Sequence, residues 1–278
     1  MTDNAVNDCR EDLQRVILLA LSRERFFVDH AFYGGTALRI LYGLRRFSED
    51  LDFAYQGKEN DFTWGPFEPV VRKTVQAYGF AVSEITQKQG GETPKMIVSV
   101  MLKDSIEGRT GFTGLNPNAG SSIHAHRKIR VRLEIDTSVP YSPEMVTEQV
   151  LSPSPFLVTT YAMPDLFAGK MHAVLCRNWR NRVKGRDWFD MLWYLERSTP
   201  IKRDHLEAKM RQSGNLDAGT PLTNERFREL YLGVCENVDF GKAFEDVEPF
   251  LLRPDALLWK GAFARERMKS LVSRFEFV

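Results

Sequence analysis

The sequence predicts an α+β fold, with a sheet-containing N-terminal part over residues 1–155 and a helical C-terminal part over residues 156–278. Two patterns predict this division. In the N-terminal part, short segments alternate apolar and polar residues, which is the two-residue period of a half-buried strand. In the C-terminal part, apolar residues recur instead at the three- and four-residue spacing of amphipathic helices. We therefore expect a sheet followed by a group of helices.

The N-terminal elements follow from local patterns. Apolar residues recur at helical spacing over residues 7–23, which predicts the first helix. An extended segment over residues 26–33, a tight turn at Gly34-Gly35 and a short helix over residues 36–42, with Gly43 as its stop, come next. The other predicted elements are a helix over residues 66–78, strands over residues 48–54, 80–86, 96–102 and 129–136, and a glycine-rich loop over residues 104–123.

The C-terminal part begins after a connector rich in proline and serine over residues 140–155. Beyond this connector, helical spacing replaces strand alternation. The predicted helices cover residues 163–179, 186–197, 204–212, 224–235 and 257–275.

Composition excludes several classes of protein. The chain has 278 residues, with 38 Lys plus Arg against 37 Asp plus Glu, so a nucleic-acid surface would have to be a local patch. The longest strongly apolar run, residues 16–21, is too short to cross a bilayer, and the first residues lack the features of a signal peptide. Three widely separated cysteines indicate no disulfide framework. We expect a reduced, soluble, cytoplasmic protein without a membrane partner.

Two carboxylates are the first candidate site. Asp50 and Asp52 lie two residues apart on a predicted strand and therefore share one face, while Leu51 and Phe53 point into the core. Carboxylates this close repel each other unless a cation lies between them. Mg²⁺ prefers a few carboxylates together with substrate phosphates, so the pair predicts a magnesium site. A solvated acidic strand face is the alternative.

Two further features extend this candidate site. The Gly34-Gly35-Thr36 turn lies between an extended segment and a helix, where backbone N–H groups can hold phosphates. Glu134 and Asp136 form a second acidic strand face, which could equally belong to a ladder of cross-strand ion pairs. A glycine turn, a helix, a paired-aspartate strand and a later acidic strand follow one another in nucleotidyltransferases, in which bound metal contacts the triphosphate.

The sequence resembles a known family at this point. The run GGTALRILYGLRRFSEDLDF, residues 34–53, resembles the signature of AbiEii/AbiGii-type nucleotidyltransferase toxins. These are relatives of the mycobacterial MenT toxins within the polymerase-beta-like nucleotidyltransferase superfamily. The run LFAGKMHAVLCRNWRNRVKGRDWFDMLWYL, residues 166–195, resembles the later block of the same family. The resemblance implies a polymerase-beta-like core with a mixed sheet, and a helical part that completes the active site.

The resemblance also implies roles for individual residues. The catalytic residues would be Asp50, Asp52, Glu134, Lys170 and Asp187. Metal would be held by Asp50, Asp52 and Glu134, and the nucleotide by Gly34, Gly35, Thr36 and Lys170. Many members have Gly-Ser where this chain has Gly35-Thr36, and threonine keeps the hydroxyl. For the third carboxylate, Asp136 fits the pattern almost as well as Glu134, and we predict Glu134.

The implied activity is Mg²⁺-dependent transfer of NMP from an NTP to an RNA acceptor, the 3′ end of tRNA. The implied biological role is that of a toxin in a toxin–antitoxin or abortive-infection system, with a separately encoded antitoxin as partner. Transfer to a small molecule or to a protein side chain is an alternative, because paired aspartates do not determine the acceptor. A catalytically idle binding module is another alternative.

Local basic clusters are consistent with an RNA acceptor. The predicted RNA-binding residues are Arg130, Arg132, Arg180, Arg182 and Arg186. Trp179 and Trp188 are interleaved with the second cluster, which suits phosphates and exposed bases, although a solvated surface would show the same composition. We expect a monomer in which Lys170 and Asp187 reach the same cleft as Asp50.

Overall fold

A computed structural model describes residues 2–58, 61–89, 95–102, 129–177, 183–252 and 263–278. The chain divides into two compact units. The sheet unit comprises Met1–Val139 and Met145–Thr160, and the helical unit comprises Pro140–Glu144 and Tyr161–Val278. The α+β class predicted from the sequence is confirmed. The division into domains 1–155 and 156–278 stays a prediction, and the glycine-rich loop predicted over residues 104–123 lies outside the described residues.

The strands form one mixed sheet. They are β1 (His30–Tyr33), β2 (Asp50–Tyr55), β3 (Val82–Gln89), β4 (Lys95–Leu102), β5 (Arg130–Asp136), β6 (Met145–Val150) and β7 (Phe156–Tyr161). Within the described residues their order is β3-β4-β5-β2-β1-β7-β6. β2 is antiparallel to β1 and parallel to β5, whereas β4 is antiparallel to both β3 and β5. β2 and β5 are therefore central neighbours that run in the same direction.

In its described residues the sheet unit contains the α-helices α1 (Thr2–Arg23), α2 (Gly34–Tyr42) and α3 (Glu68–Ala77). α1 packs on α3 and on β5, and Leu13 and Ile17 of α1 are fully buried. Leu51 and Phe53 of β2 belong to the same core. Removing each such side chain from water stabilises the fold by about 1.5–3 kcal/mol. Because side chains alternate along a strand, this burial fixes Asp50 and Asp52 on the opposite face of the sheet.

The helical unit contains α4 (Met163–Cys176), α5 (Gly185–Glu196), α6 (Arg203–Gln212), α7 (Asn224–Asn237), α8 (Phe240–Val247) and α9 (Ala264–Ser270). α4 packs on α5, α6 and α7, and α5 also packs on α8. Aromatic side chains fill its core: Phe167 stacks on Tyr194 with ring centroids 4.4 Å apart, and Trp188 meets Phe240 edge-on at 4.9 Å. None of the helices in the described part of the chain is both long enough and apolar enough to cross a membrane.

Some local predictions are wrong. The connector predicted over residues 140–155 contains β6, and β7 follows it directly. β6 lies at the end of the sheet and exposes every second residue, so its sequence carries little apolar signal. α8 was not predicted, and residues 26–28 form a short 3₁₀ helix where extended backbone was expected. The last predicted helix, over residues 257–275, is α9 followed by a 3₁₀ turn over Leu271–Arg274, and residues 257–262 lie outside the described residues.

Candidate active site

Three carboxylates lie on one face of the central strands. β2 and β5 pair in parallel with Asp50 opposite Arg132 and Asp52 opposite Glu134. These four side chains therefore form two neighbouring cross-strand pairs, which we call the acidic face. Their side chains are partly exposed, at 37% for Asp50 and 22% for Glu134. The acidic face is thus accessible from solvent while its strands are anchored in the core.

The register distinguishes the two candidates for the third carboxylate. Glu134 is the residue directly opposite Asp52, whereas Asp136 lies opposite Ala54. Asp136 also accepts a hydrogen bond from the backbone N–H of Ser138 at 3.1 Å. The geometry therefore groups Glu134 with the aspartate pair and leaves Asp136 at a local turn.

Arg132 lies among the carboxylates of the acidic face. Its Nη2 is 3.1 Å from Asp50 Oδ2 and 2.5 Å from Glu134 Oε1. Burial lowers the pKa of Arg132, but the nearby charges of Asp50 and Glu134 outweigh burial and raise the pKa above its usual value. Sequence reasoning grouped Arg132 with the RNA-binding residues and did not foresee this bridge; the RNA-binding role stays a prediction.

The glycine turn, whose two residues the structure places as the first two of α2 rather than before the helix, contacts the acidic face. Gly34 has a φ of +81°, a left-handed conformation that favours glycine. A methyl group added there would overlap Asp52 Oδ2, so the turn lies directly against the carboxylate. A methyl group at Gly35 would crowd Arg46 and Ser48 instead. The absence of side chains at this turn leaves its backbone close to Asp52.

Buried polar side chains hold the segment that leads into β2. Thr36 Oγ1 donates to the carbonyl of Asp50, and Arg46 Nη1 donates to the carbonyl of Phe47 at 2.8 Å. Gln14 Nε2 donates to the carbonyls of Ser48 and Glu49, each at 3.0 Å. The carbonyls of four consecutive residues, 47–50, are therefore bound by three side chains that are all at least 98% buried. We call residues 47–50 the lead-in segment.

Gln14, Thr36 and Arg46 together form a clamp on the lead-in segment, and this clamp changes the interpretation of Thr36. Its side chain is fully buried and its hydroxyl is used to position Asp50, so the observed contact is with protein. The nucleotide-binding role predicted for Thr36 stays a prediction. Sequence reasoning missed Gln14 altogether. Its only signal is a polar residue in the apolar stripe of α1 formed with Ile17, Leu18 and Leu21.

A second charged cluster lies inside the helical unit. Lys170 Nζ on α4 is 2.9 Å from Asp187 Oδ1 and 2.8 Å from Asp190 Oδ2, both on α5. Arg177, which follows α4, contacts Asp187 Oδ2 at 2.9 Å. We call these four residues the buried quartet. Asp190 is completely buried, Asp187 is 8% exposed and Lys170 is 13% exposed.

The buried quartet is balanced, with two cations and two carboxylates. Burial by itself would raise the pKa of Asp187, but the charges of Lys170 and Arg177 prevail and hold that pKa at about 2. Sequence reasoning selected Lys170 and Asp187 and missed the parts of Asp190 and Arg177. The i,i+3 spacing of the two aspartates on a predicted helix was the available signal.

The remaining predicted RNA-binding residues have varied surroundings. Arg130 is exposed on β5, on the same face as Arg132. Arg186 lies over the ring of Phe250, 4.5 Å from its centroid, with its Nε 3.7 Å from Asp246. Arg180 and Arg182 lie outside the described residues. Their RNA-binding roles stay predictions.

The acidic face suits a divalent cation by its chemistry. Three carboxylates supply the hard oxygen ligands that Mg²⁺ prefers, and a guanidinium already lies between two of them as a cationic stand-in. As the side chains stand, no group of three or more His, Cys, Asp or Glu in the described ranges converges closely enough to hold a metal ion. The donor set therefore suits a divalent cation in its chemistry, and Arg132 lies between Asp50 and Glu134.

Comparison with known families identifies the chain. The sequence model of the AbiEii nucleotidyl transferase toxins, of type IV toxin–antitoxin systems, matches residues 16–264. The chain belongs to this AbiEii family. The match includes the glycine turn, the acidic face and the buried quartet, and it confirms the resemblance found in the sequence. The protein is therefore a member of a nucleotidyltransferase toxin family.

Solved structures share the fold of this chain. A Helicobacter pylori protein described as a candidate nucleotidyltransferase aligns with a TM-score of 0.53 and 18% identity, covering 98% of this chain and 95% of that one. The H. pylori protein JHP933 aligns with a TM-score of 0.51 and 19% identity, covering 99% of this chain and 91% of that one. At these identities the likeness establishes a common fold. No curated protein matches the sequence significantly.

Proposed function

We propose that this AbiEii-family protein is a Mg²⁺-dependent enzyme that transfers NMP from an NTP to an RNA acceptor, the 3′ end of tRNA. One observation carries the proposal: Asp50, Asp52 and Glu134 share one face of adjacent parallel strands, in register, beside a glycine turn. We further propose that the enzyme acts in the cytoplasm as a monomer and is neutralised by a separately encoded antitoxin.

The proposed reaction joins the acceptor to the α-phosphate. The oxygen of the acceptor hydroxyl forms a bond to the α-phosphorus, and the bond from that phosphorus to the bridging oxygen of the β-phosphate breaks. Pyrophosphate leaves, and the hydroxyl proton passes to a base. Glu134 is proposed to orient this hydroxyl or to accept its proton, because it lies opposite Asp52 and is partly exposed.

Asp50, Asp52 and Glu134 would hold the metal. Bound Mg²⁺ would neutralise charge on the triphosphate and align it for attack. The backbone of Gly34 and Gly35 is proposed to approach the phosphates, since neither residue has a side chain and Gly34 lies against Asp52. The lead-in segment fixes the backbone at Asp50, so this carboxylate is placed before substrate arrives.

Lys170 is proposed to bind the nucleotide, and Asp187 is proposed to hold Lys170 in position. Lys170 is held by Asp187 and Asp190, so its ammonium has a defined position rather than a flexible one. An ammonium positioned in this way suits a triphosphate oxygen. In this proposal Lys170 contacts the nucleotide, and Asp187 is a positioning residue for Lys170.

The acceptor is tested by labelling. The protein is incubated with each α-³²P-labelled NTP and total tRNA, with Mg²⁺ or with EDTA. We expect label in tRNA with at least one NTP, lost in EDTA and lost when the tRNA 3′ end has first been oxidised with periodate. Label in the protein or in a small molecule would instead favour the alternative acceptors. No label with any NTP would favour an idle binding module.

RNA contact is tested by charge reversal. Contacts between arginine and phosphate release counterions, so RNA binding should weaken steeply as salt rises. Changing Arg180 and Arg182 together to Glu should cut RNA modification and leave NTP binding intact. The same change at the exposed Arg228 and Arg267 is the matched control. If RNA modification is unchanged after the first reversal, or if RNA affinity does not depend on salt concentration, the acceptor does not bind at Arg180 and Arg182.

A further inference from the structure

We propose that Arg132 is the resident counter-cation of the acidic face, and that a divalent metal binds there by displacing it. This inference rests on the proposed function, because it concerns the same metal-binding carboxylates. It assigns Arg132 a role in metal binding in place of the RNA contact predicted from its sequence position.

The geometry supports displacement. A single nitrogen of Arg132, Nη2, bridges Asp50 and Glu134, which belong to different strands. Arg132 Nε is buried and has no hydrogen-bond partner among the residues that the structure describes. A guanidinium that braces a fold normally uses several of its five donors in a fixed fork. The contact of Arg132 is therefore held mainly by charge, and another cation can replace it.

The charges of the acidic face also favour displacement of Arg132 by a divalent ion. The acidic face carries three carboxylates against one guanidinium, so Arg132 leaves it with uncompensated negative charge. A divalent ion brings twice the charge of the guanidinium and accepts oxygens from all three carboxylates. In the buried quartet, by contrast, charges are already matched, and nothing there favours exchange.

The strand limits where Arg132 can go. Its backbone is fixed in β5 beside Asp50, so only the side chain can move away. In the metal-free state the guanidinium reduces repulsion among the carboxylates and competes with metal. Removing it should therefore strengthen metal binding and weaken the metal-free fold. If Arg132 were instead a brace that shapes the site, removing it would weaken metal binding.

The test is Mn²⁺ binding without nucleotide, measured from the electron paramagnetic resonance signal of free Mn²⁺. Arg132→Met should bind Mn²⁺ about fivefold more tightly than the wild type, the gain expected from losing two partly exposed ion pairs. Arg130→Met removes the same charge from an exposed position on the same face and is the matched control. In this control we expect the Mn²⁺ affinity to change by less than about twofold, because the effect of one exposed charge is screened by salt.

Thermal unfolding gives a second readout. In EDTA, Arg132→Met should have a lower Tm than the wild type, and saturating Mn²⁺ should raise its Tm by more than it raises that of the wild type. If Arg132→Met does not fold, Arg132→Lys takes its place. Its Mn²⁺ affinity should lie between that of the wild type and the affinity expected for Arg132→Met. Equal or weaker Mn²⁺ binding in Arg132→Met, or in Arg132→Lys where Met fails, overturns the inference.

Asp52→Ala separates the two proposals. If this change abolishes Mn²⁺ binding while loss of Arg132 does not increase it, the metal site stands and the displacement of Arg132 is wrong. If Asp52→Ala leaves Mn²⁺ binding unchanged, the acidic face is not the metal site and both proposals fail.

Discussion

The acidic face and the buried quartet contain the same types of residue and are built in opposite ways. The acidic face is partly exposed and has more carboxylates than cations. In the buried quartet, Lys170, Asp187 and Asp190 are at most 13% exposed, Arg177 is 28% exposed, and two cations pair with two carboxylates. A cluster with excess charge and access to solvent can still bind a cation, whereas a matched and buried one has already satisfied its charges.

This difference predicts that one cluster acts on transfer alone and that the other also supports the fold. A carboxylate of the acidic face should matter for transfer and hardly at all for stability, because the carboxylates repel one another in the metal-free fold. A residue of the buried quartet should matter for stability first, because removing one partner leaves the others buried and unpaired. The two clusters should therefore respond to substitution in distinguishable ways. Three substitutions in the clusters and one beside the lead-in segment are given below, from the largest expected effect on stability to the smallest.

Lys170→Ala is expected to have the largest effect on stability. It leaves Asp187 and the fully buried Asp190 without their ammonium partner, which should lower the free energy of unfolding by about 3 kcal/mol. It should also raise the KM for NTP and lower the rate of transfer. Urea unfolding and steady-state kinetics measure both. Lys242→Ala, at an exposed pair, is the control and should change neither. Unaltered stability in Lys170→Ala would contradict the structural role of the buried quartet.

Acid should weaken the buried quartet through Asp187. The pKa of Asp187 is lowered from its ordinary 3.8 to about 2, so its ionised form stabilises the fold by about 2 kcal/mol, fully above pH 4. This contribution is lost as the pH falls from about 4 towards 2. Asp187→Asn should therefore be less stable than the wild type at pH 7, and the gap should narrow below pH 4. A gap that is constant with pH in urea unfolding would show that the carboxylate charge is not responsible.

Gln14→Leu tests the clamp on the lead-in segment. Losing the donor to Ser48 and Glu49 should cost about 1 kcal/mol, because these half-exposed residues can partly regain water. Transfer should fall by about tenfold, since a small displacement of Asp50 misaligns the reacting groups. Gln76→Leu, exposed on α3, is the matched control. Transfer that survives intact in Gln14→Leu would mean that the clamp does not position Asp50.

Local sequence patterns predicted the parts of this molecule that depend on neighbours in the chain. Alternation along β2 and β5 placed Asp50, Asp52 and Glu134 opposite the core correctly. β6 and β7 were missed because they depend on distant pairing: β7 joins the sheet beside β1, through Phe32 and Thr160. The pairing of β7 with β1 joins residues far apart in the chain, and the exposed positions of β6 carry little apolar signal.

The contacts within the site could not be predicted for the same reason. The bridge from Arg132 to Asp50 depends on the register between strands that are 82 residues apart in sequence. The clamp by Gln14 joins α1 to a segment more than 30 residues later. Residue type and spacing identified candidates for chemistry, whereas tertiary packing determined which side chains position them.

Asp52→Ala tests the central claim most directly, because it should separate activity from stability completely. Transfer of labelled NMP to tRNA is measured in Mg²⁺ alongside urea unfolding in EDTA. We expect transfer to be abolished and the free energy of unfolding to stay the same or rise slightly, since one repelling carboxylate is gone. Asp136→Ala, two residues beyond Glu134 on the same strand face, is the control and should retain transfer. Substantial Mg²⁺-dependent transfer by purified Asp52→Ala would contradict the assignment of the acidic face as the catalytic metal site.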